Sequence, residues 1–529
     1  MSLSTKIESL LSHHRGTHKK VASDEDMHLP LHAPKVQPLY LDKLMNTGNL
    51  AVAASWVDGL DKRTSLRKRQ KSNARQEDLK TLLDADIIEK CTKQEIRVTG
   101  NIFSVVEEHK KRRRPIFWPK SLNAAVADQK PDVQLRDAIQ HAQIARDVWA
   151  ATFDLKASFF QVELPAQTRE FFGLHTEFGC FRYKRLPMGF SASPYVMHAI
   201  TSLAASAGSQ AGVRTDVYID NVRFTSKSRD KVVDASDKFV AFCKEHGITL
   251  NKEEGNAPHR QGEFLGLEYD YENGVVRLGA KSINKLRTTT IAQTATRREY
   301  LQLFGLMLFA TRALRVHPAK FFSQIKFIRK RCCTGDLDET VAMWPSAAKG
   351  FDIWLKILSR NTPTRHEIGE PSTPDALLFT DASVTGWGAV LVRGSGVFSV
   401  AGRWAKPITC AEICEYEARA IALAVERFSD ALGDAKTITI RTDNSAALFT
   451  LKKGVAREFE LNRAIAECAE SFRRFCPNAA VYVNHVATAE NPADPLSRGR
   501  PYEQQVLSTL RARGVVGSGE LKRVFTQSG

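Results

Sequence analysis

The chain has 529 residues, enough for several domains each with its own core, and 43% are hydrophobic, the share of a folded globular protein. Its longest apolar stretches, such as Leu301 to Ala310, are broken too early to span a bilayer, so no membrane partner is expected. His13, His14, Arg15, Lys19 and Lys20 precede any apolar run, so a secretory signal is not expected either. A formal net charge of +17 makes a long polyanion the expected partner, because each neutralised phosphate releases counterions.

Residues 1–75 read as a basic, loosely structured N-terminal extension. Prolines are scattered from Pro30 to Pro38, and a cationic run covers Lys62, Arg63, Arg67, Lys68, Arg69, Lys71 and Arg75. A solvated tether and a nucleic-acid-binding arm both fit this composition. From Gln76 the spacing predicts a short amphipathic helix with Leu79, Leu82 and Leu83 on one face. Mixed strands and helices run on to about Tyr269. Thr296-Arg297-Arg298-Glu299 has capping-box form, and Leu301, Phe304 and Leu308 continue one helical face. A linker rich in Pro, Thr and charge, from Ser359 to Pro374, marks the clearest boundary. Beyond it Ala376-Leu377-Leu378-Phe379 opens a second α/β domain ending near Arg500. Nine cysteines without paired metal-ligand spacing point to a reducing, intracellular setting, cytoplasmic or nuclear.

Two carboxylates stand out. Val217-Tyr218-Ile219 runs into Asp220-Asn221, and Val222-Arg223-Phe224 runs out, which reads as strand, two-residue turn at Asp220-Asn221, strand. Upstream, Ala151-Thr152-Phe153 ends in Asp154. Two strand-borne aspartates can share a pair of divalent cations, the arrangement that serves nucleotide transfer.

These residues resemble reverse transcriptases. The block from Thr152 to Val162 is similar to that family's first aspartate motif, Leu186-Pro187-Met188-Gly189 to its Leu-Pro-x-Gly block, and Tyr218 to Asn221 to its Tyr-x-Asp-Asp motif. Phe264-Leu265-Gly266 is similar to the primer-grip segment, Arg114-Pro115 with Asn123 to the fingers strand, and Thr296 to Ala310 to the thumb. The resemblance implies a right-hand polymerase of fingers, palm and thumb, with Asp154 and Asp220 holding two Mg²⁺ ions and Mn²⁺ as the alternative. It also implies that Arg114 grips the triphosphate and that Phe159 excludes a 2′-hydroxyl; a solvated basic loop and a core phenylalanine are the rival readings. Met188, Gly189 and Tyr218 would lie against the nucleotide, Gly189 by letting backbone approach it closely. Position 221 departs from the family's second Asp. Asn221 removes one negative charge, though its amide oxygen can still ligate a hard cation. In Asn251-Lys252-Glu253-Glu254 the family's usual lysine falls nearer 254, leaving Lys252 as the candidate for the leaving pyrophosphate.

Downstream, Asp381 follows the strand Ala376 to Phe379, and Glu417 sits on a helical face with Ala420, Ile421 and Ala424, where an unpaired carboxylate is costly. Asp443 ends the strand Thr437 to Ile440, either as a helix cap or as a functional group. Asp494 lies in Ala493-Asp494-Pro495-Leu496-Ser497-Arg498. In this order the four resemble the acidic set of ribonuclease H, which implies two further metal ions and a mixed five-stranded sheet with flanking helices. The whole is read as a multidomain α+β and α/β protein: fingers and palm over 76–280, thumb and connection over 281–370, a ribonuclease H-like domain over 371–500 and a tail over 501–529. The resemblance implies RNA- and DNA-templated DNA synthesis from deoxynucleoside triphosphates, with RNA template, DNA primer and RNA–DNA hybrid as partners, coupled to cleavage of the hybrid's RNA. The short connection and the Ala-Asp-Pro-Leu-Ser-Arg ending look most like tyrosine-recombinase retroelements of the DIRS or VIPER type, with LTR retrotransposons and pararetroviruses next. The alternative is a host-retained or decayed copy acting as a nucleic-acid-binding scaffold, with or without the nuclease.

Overall fold

The computed structural model describes residues 21–44, 56–57, 59–129, 135–251, 257–366, 373–394, 396–477 and 479–500. Lys252 lies outside them. The described residues form two compact units, one running to Lys285 and joined by 301–306 and 361–366, the other built from the rest.

In the first unit the strands are β1 (Ile88–Lys90), β2 (Asn101–Glu107), β3 (Arg112–Trp118), β4 (Trp149–Asp154), β5 (Gly173–Thr176), β6 (Gly179–Tyr183), β7 (Arg214–Tyr218), β8 (Asn221–Ser226), β9 (Gln261–Phe264), β10 (Leu267–Asp270) and β11 (Val275–Leu278). They make a β2–β3 hairpin and three antiparallel sheets ordered β1-β6-β5, β4-β8-β7 and β11-β10-β9. The β4-β8-β7 sheet is the palm. Phe153 and Phe224 on its inner face pack against Phe239 of the helix Arg229–Glu245, with ring centroids 5.1 and 5.7 Å away. Apolar side chains alternate with polar ones along β4 and β8, so one face is driven into the core.

Two expectations are corrected here. In the N-terminal extension, residues 21–41 run beside the fingers and the palm. Val21 bridges Val105, Leu31 bridges Arg113 and Leu39 bridges Val162, while Leu39, Leu41, Trp56, Val57 and Leu60 are buried. Backbone pairing and apolar anchors hold this segment despite its charge and prolines. The turn at the palm hairpin is also displaced by one residue. Tyr218 pairs with Asn221 and Asn221 also pairs with Asp154, so the two turn residues are Ile219 and Asp220. Ile219 takes the positive φ of 55°, which costs a side chain with a Cβ about 1–2 kcal/mol. His198 Nδ1 accepts the Ile219 N–H at 3.2 Å and helps hold that conformation.

In the second unit β12 (Thr294–Thr296) pairs with β13 (Thr340–Ala342), and the helix Arg297–Ala313 begins with the expected capping box. Thr296 and Glu299 satisfy each other's backbone donors at 2.8 and 3.2 Å. The buried stripe follows Phe304, Met307, Ala310 and Ala313, leaving Leu308 half-buried. Next come β14 (Ala376–Ala382), β15 (Gly386–Arg393), β16 (Gly396–Arg403), β17 (Thr437–Thr442) and β18 (Ala480–His485). They form one sheet in the order β16-β15-β14-β17-β18, with β14–β17 and β17–β18 parallel. Ile421, Ala424 and Val425 of the helix Ile413–Arg427 and Cys468 of Phe459–Phe475 cover one face, against Leu378, Ile438 and Ile440. This is the mixed five-stranded, ribonuclease H-like sheet that the acidic pattern implied.

Candidate active sites

The palm strands end at a cavity of about 430 Å³ whose lining includes Asp154, Asp220, Asn221, Phe159, Met188 and Arg114. The β4–β8 register puts Asp154 opposite Asn221, and the Leu155 N–H donates to the Asp220 carbonyl at 3.1 Å. Asp220 accepts from Ser158 Oγ at 2.7 Å and from Asn221 Nδ2 at 3.0 Å. Asn221 therefore presents its amide N–H₂ to the neighbouring carboxylate. Asn251 Nδ2 donates to Asp154 Oδ2 at 2.5 Å. Burial raises the pKa of Asp220 against the pull of these donors and of Arg114. A desolvated carboxylate held by few positive partners gains from a cation.

Behind the hairpin, Arg223 is fully buried and pairs with Asp216 at 2.6 Å. Its guanidinium lies over Phe264 and Tyr269, 4.6 and 4.5 Å from the ring centroids. The strand carrying Asn221 is thereby tied to the β9–β10 hairpin, at whose turn the Phe264-Leu265-Gly266 segment lies.

Phe159 and Phe160 of the short helix Ser158–Gln161 both border the cavity, but Phe159 is half-buried there whereas Phe160 is almost wholly buried in the core. Arg114 is ion-paired with Glu107 at 2.6 Å. Tyr218 does not line the cavity; its ring meets His141 edge-on with centroids 6.3 Å apart. Gly189 does not line it either. Its φ is +111°, and a Cβ there would fall 1.9 Å from the Phe117 carbonyl oxygen. The close approach at Gly189 is thus to β3, where Phe117 N–H also donates to the Met188 carbonyl at 2.9 Å. Asn123 clamps the same loop, donating to Gly189 O and accepting from Ser191 N–H, both at 2.9 Å. His32, Lys110, Arg112 and Asn251 also line the cavity and were missed from sequence. Asn251 stood within the quartet around Lys252, but nothing in the composition near His32 signalled a site.

The second constellation lies at the ends of the five-stranded sheet. Carboxylate oxygens of Asp381, Glu417 and Asp443 lie within 4.8 Å of one another. Asp381 accepts from Ser497 Oγ, and Glu417 from Thr442 Oγ1 at 3.4 Å. Burial, then the charges of Asp381 and Asp443, push Glu417 up to about 9. Burial also raises Asp381, with Asp443 and Asp494 adding to it. Asn444, not Asp443, caps the helix Ser445–Lys453, its side chain accepting from Ala447 N–H at 2.9 Å. Capping is thus not what occupies Asp443. Asp494 stands outside the triad and pairs with Arg498 at 2.8 Å, though its charge is felt by Asp381. All-oxygen donors on three crowded acids, Asp381 and Glu417 buried and Asp443 half-buried, suit a hard divalent cation, which would let them ionise together.

Residues 96–269 match the family model described as reverse transcriptase (RNA-dependent DNA polymerase). This segment is a reverse transcriptase domain. The chain is 21% identical over 401 residues to the enzymatic polyprotein of figwort mosaic virus, covering 73% of this chain and 56% of that protein. It is 23% identical over 159 residues to the retrovirus-related Pol polyprotein from transposon 412 of Drosophila melanogaster, covering 30% and 12%. The chain spans about half the length of the viral polyproteins it matches. Its fold is similar to that of a foamy viral protease-reverse transcriptase solved with dsDNA, at a TM-score of 0.50 and 15% identity over 92% of this chain and 97% of that one. Right-hand polymerase followed by ribonuclease H-like sheet is therefore the fold of this chain. Among the described residues, no helix is long and apolar enough to cross a membrane.

Proposed function

We propose that the chain copies RNA and DNA templates into DNA and hydrolyses the RNA of the resulting hybrid, in the replication of a retroelement. The observation that carries the reading is the pairing of Asp154 with Asn221 beside Asp220, at one end of a cavity that also holds Arg112, Arg114 and Lys110. Asp154 and Asp220 would hold Mg²⁺ or Mn²⁺ in the polymerase site, and Asp381, Glu417, Asp443 and Asp494 in the nuclease site. When bound, paired ions lower the pKa of the attacking hydroxyl or water and neutralise the leaving oxygen.

The protein's own side chains do the rest. Ser158 and Asn221 orient Asp220, and Asn251 orients Asp154, so each carboxylate keeps one direction toward the cavity. Arg114 draws the triphosphate by charge-assisted hydrogen bonds, aligning the α-phosphorus for the primer 3′-hydroxyl with pyrophosphate leaving. Phe159 would press against the sugar and reject a 2′-hydroxyl. In the nuclease, Ser497 and Thr442 orient Asp381 and Glu417 for in-line attack by water on an RNA phosphodiester. The net charge of +17 supplies attraction for primer–template and hybrid. A tyrosine-recombinase retroelement of the DIRS or VIPER type is the lineage favoured by the residues 493–498.

Primer extension on RNA and DNA templates with Mg²⁺ or Mn²⁺, beside cleavage of a labelled RNA–DNA hybrid, tests the proposal. Both activities are expected from the folded protein. Cleavage without extension would reduce the function to the nuclease, and neither would leave a nucleic-acid-binding scaffold.

A further inference from the structure

The cation cluster at the polymerase cavity has a member from outside the fingers. Residues 21–33 run along β2 and β3: Ala22 N–H donates to Ser104 O at 2.9 Å, Arg113 N–H to Pro30 O at 2.8 Å, and His32 N–H to Arg113 O at 2.6 Å. Leu31 lies opposite Arg113, whose side chain is buried on Asp78 and Ser104. Alternation along extended backbone then turns His32 to the other side, with Arg112 and Arg114. There Arg112 Nη1 and His32 Nδ1 are 2.9 Å apart. Glu107 takes Arg112 on one oxygen and Arg114 on the other, each at 2.6 Å. One carboxylate thus holds both guanidinium groups, and His32 holds the outer edge of Arg112.

The protonation of His32 follows from its partner. Arginine only donates, so Nδ1 must be the acceptor and the ring proton sits on Nε2. Burial, then Arg112 and Arg114, push the imidazole down to about 4, so it is neutral near pH 7. A neutral ring among cations, with one nitrogen used and the other carrying a proton in a cavity, is a donor suited to a phosphate oxygen.

We infer that His32 is a further substrate-binding residue, donating from Nε2 to the triphosphate of the incoming nucleotide while Nδ1 keeps Arg112 directed at the same group. The inference rests on the polymerase reading of this cavity. Single-nucleotide incorporation by His32→Ala should show the KM for deoxynucleotide raised about tenfold, what one hydrogen bond to a charged group is worth. The turnover number and the affinity for primer–template should stay within about twofold, since neither depends on a phosphate donor. His32→Gln, which can accept and donate at once, should recover most of the loss. Binding of inorganic tripolyphosphate to the full chain, followed by calorimetry without primer–template, should weaken by the same factor in His32→Ala. That arm decides the matter even if the wild-type protein extends no primer, so failure of the polymerase reading and failure of this one are distinguishable. An unchanged KM together with unchanged tripolyphosphate affinity in folded His32→Ala would overturn the inference. So would a loss confined to turnover or to thermal stability, which would mark His32 as only a strut for β3.

Discussion

Glu417→Gln offers a test in which stability and activity move in opposite directions. In the folded protein Glu417 is pushed up to about 9, from an ordinary value of 4.5, by burial and by Asp381 and Asp443. A carboxyl whose folded pKa is raised contributes fully below its unfolded pKa, and the contribution is lost as pH rises toward the folded one. Without metal the fold must therefore keep Glu417 protonated at pH 7 while the unfolded chain lets it ionise. The interval from 4.5 to pH 7 is roughly 2.5 units at about 1.4 kcal/mol each, a penalty of about 3 kcal/mol. Glutamine carries no such penalty and keeps the shape. Urea denaturation in EDTA, with hydrogen exchange of β14 and the helix Ile413–Arg427 as the local probe, should show Glu417→Gln more stable by about 3 kcal/mol at pH 7. The advantage should vanish near pH 4.5, and hybrid cleavage should be abolished. Equal stability at both pH values, or a variant less stable at pH 7, would refute the account of three crowded acids awaiting a cation.

Two further substitutions probe the polymerase cavity. Phe159→Ala should lower discrimination against ribonucleotides by at least about tenfold, equivalent to about 1.4 kcal/mol, measured as the ratio of incorporation efficiencies for matched ribo- and deoxynucleotide; an unchanged ratio would leave Phe159 a packing residue. Asn221→Asp removes the donor to Asp220 and adds a charge beside it, so the Mg²⁺ concentration for half-maximal extension should fall by about tenfold. A rise instead would show that the site is tuned to the amide.

Local chemistry made much of this structure legible. The capping box at Thr296 and Glu299 formed as read, because both partners lie within one helical turn. The strands that carry Asp154 and Asp381 and the strand that leads into Asp443 were readable because short apolar or β-branched runs lead into an acid. What was not legible depended on partners far along the chain. The hairpin turn fell on Ile219–Asp220 because pairing with β4, not the local taste of Asp and Asn for turns, set the register. Gly189 was readable as a point of close backbone approach, but not that Phe117's carbonyl rather than a nucleotide fills the space beside it. The segment around His32 looked like solvated arm because proline and charge dominate it, and only the open edge of β3 and the sites for Leu39 and Leu41 explain its place. In the Lys111–Arg114 run, alternation sends Arg113 to Asp78 and leaves Arg112 and Arg114 at the cavity.

The central claim is that two separate acidic clusters perform two separate phosphoryl reactions. Asp154→Asn and Asp443→Asn, each measured for extension and for hybrid cleavage on the full chain, test it most directly. Asp154→Asn should abolish extension and leave cleavage within about twofold, and Asp443→Asn should do the reverse, since on the proposed reading each would remove a ligand from one site only. Loss of both activities in either folded variant, or cleavage that survives Asp443→Asn, would contradict it.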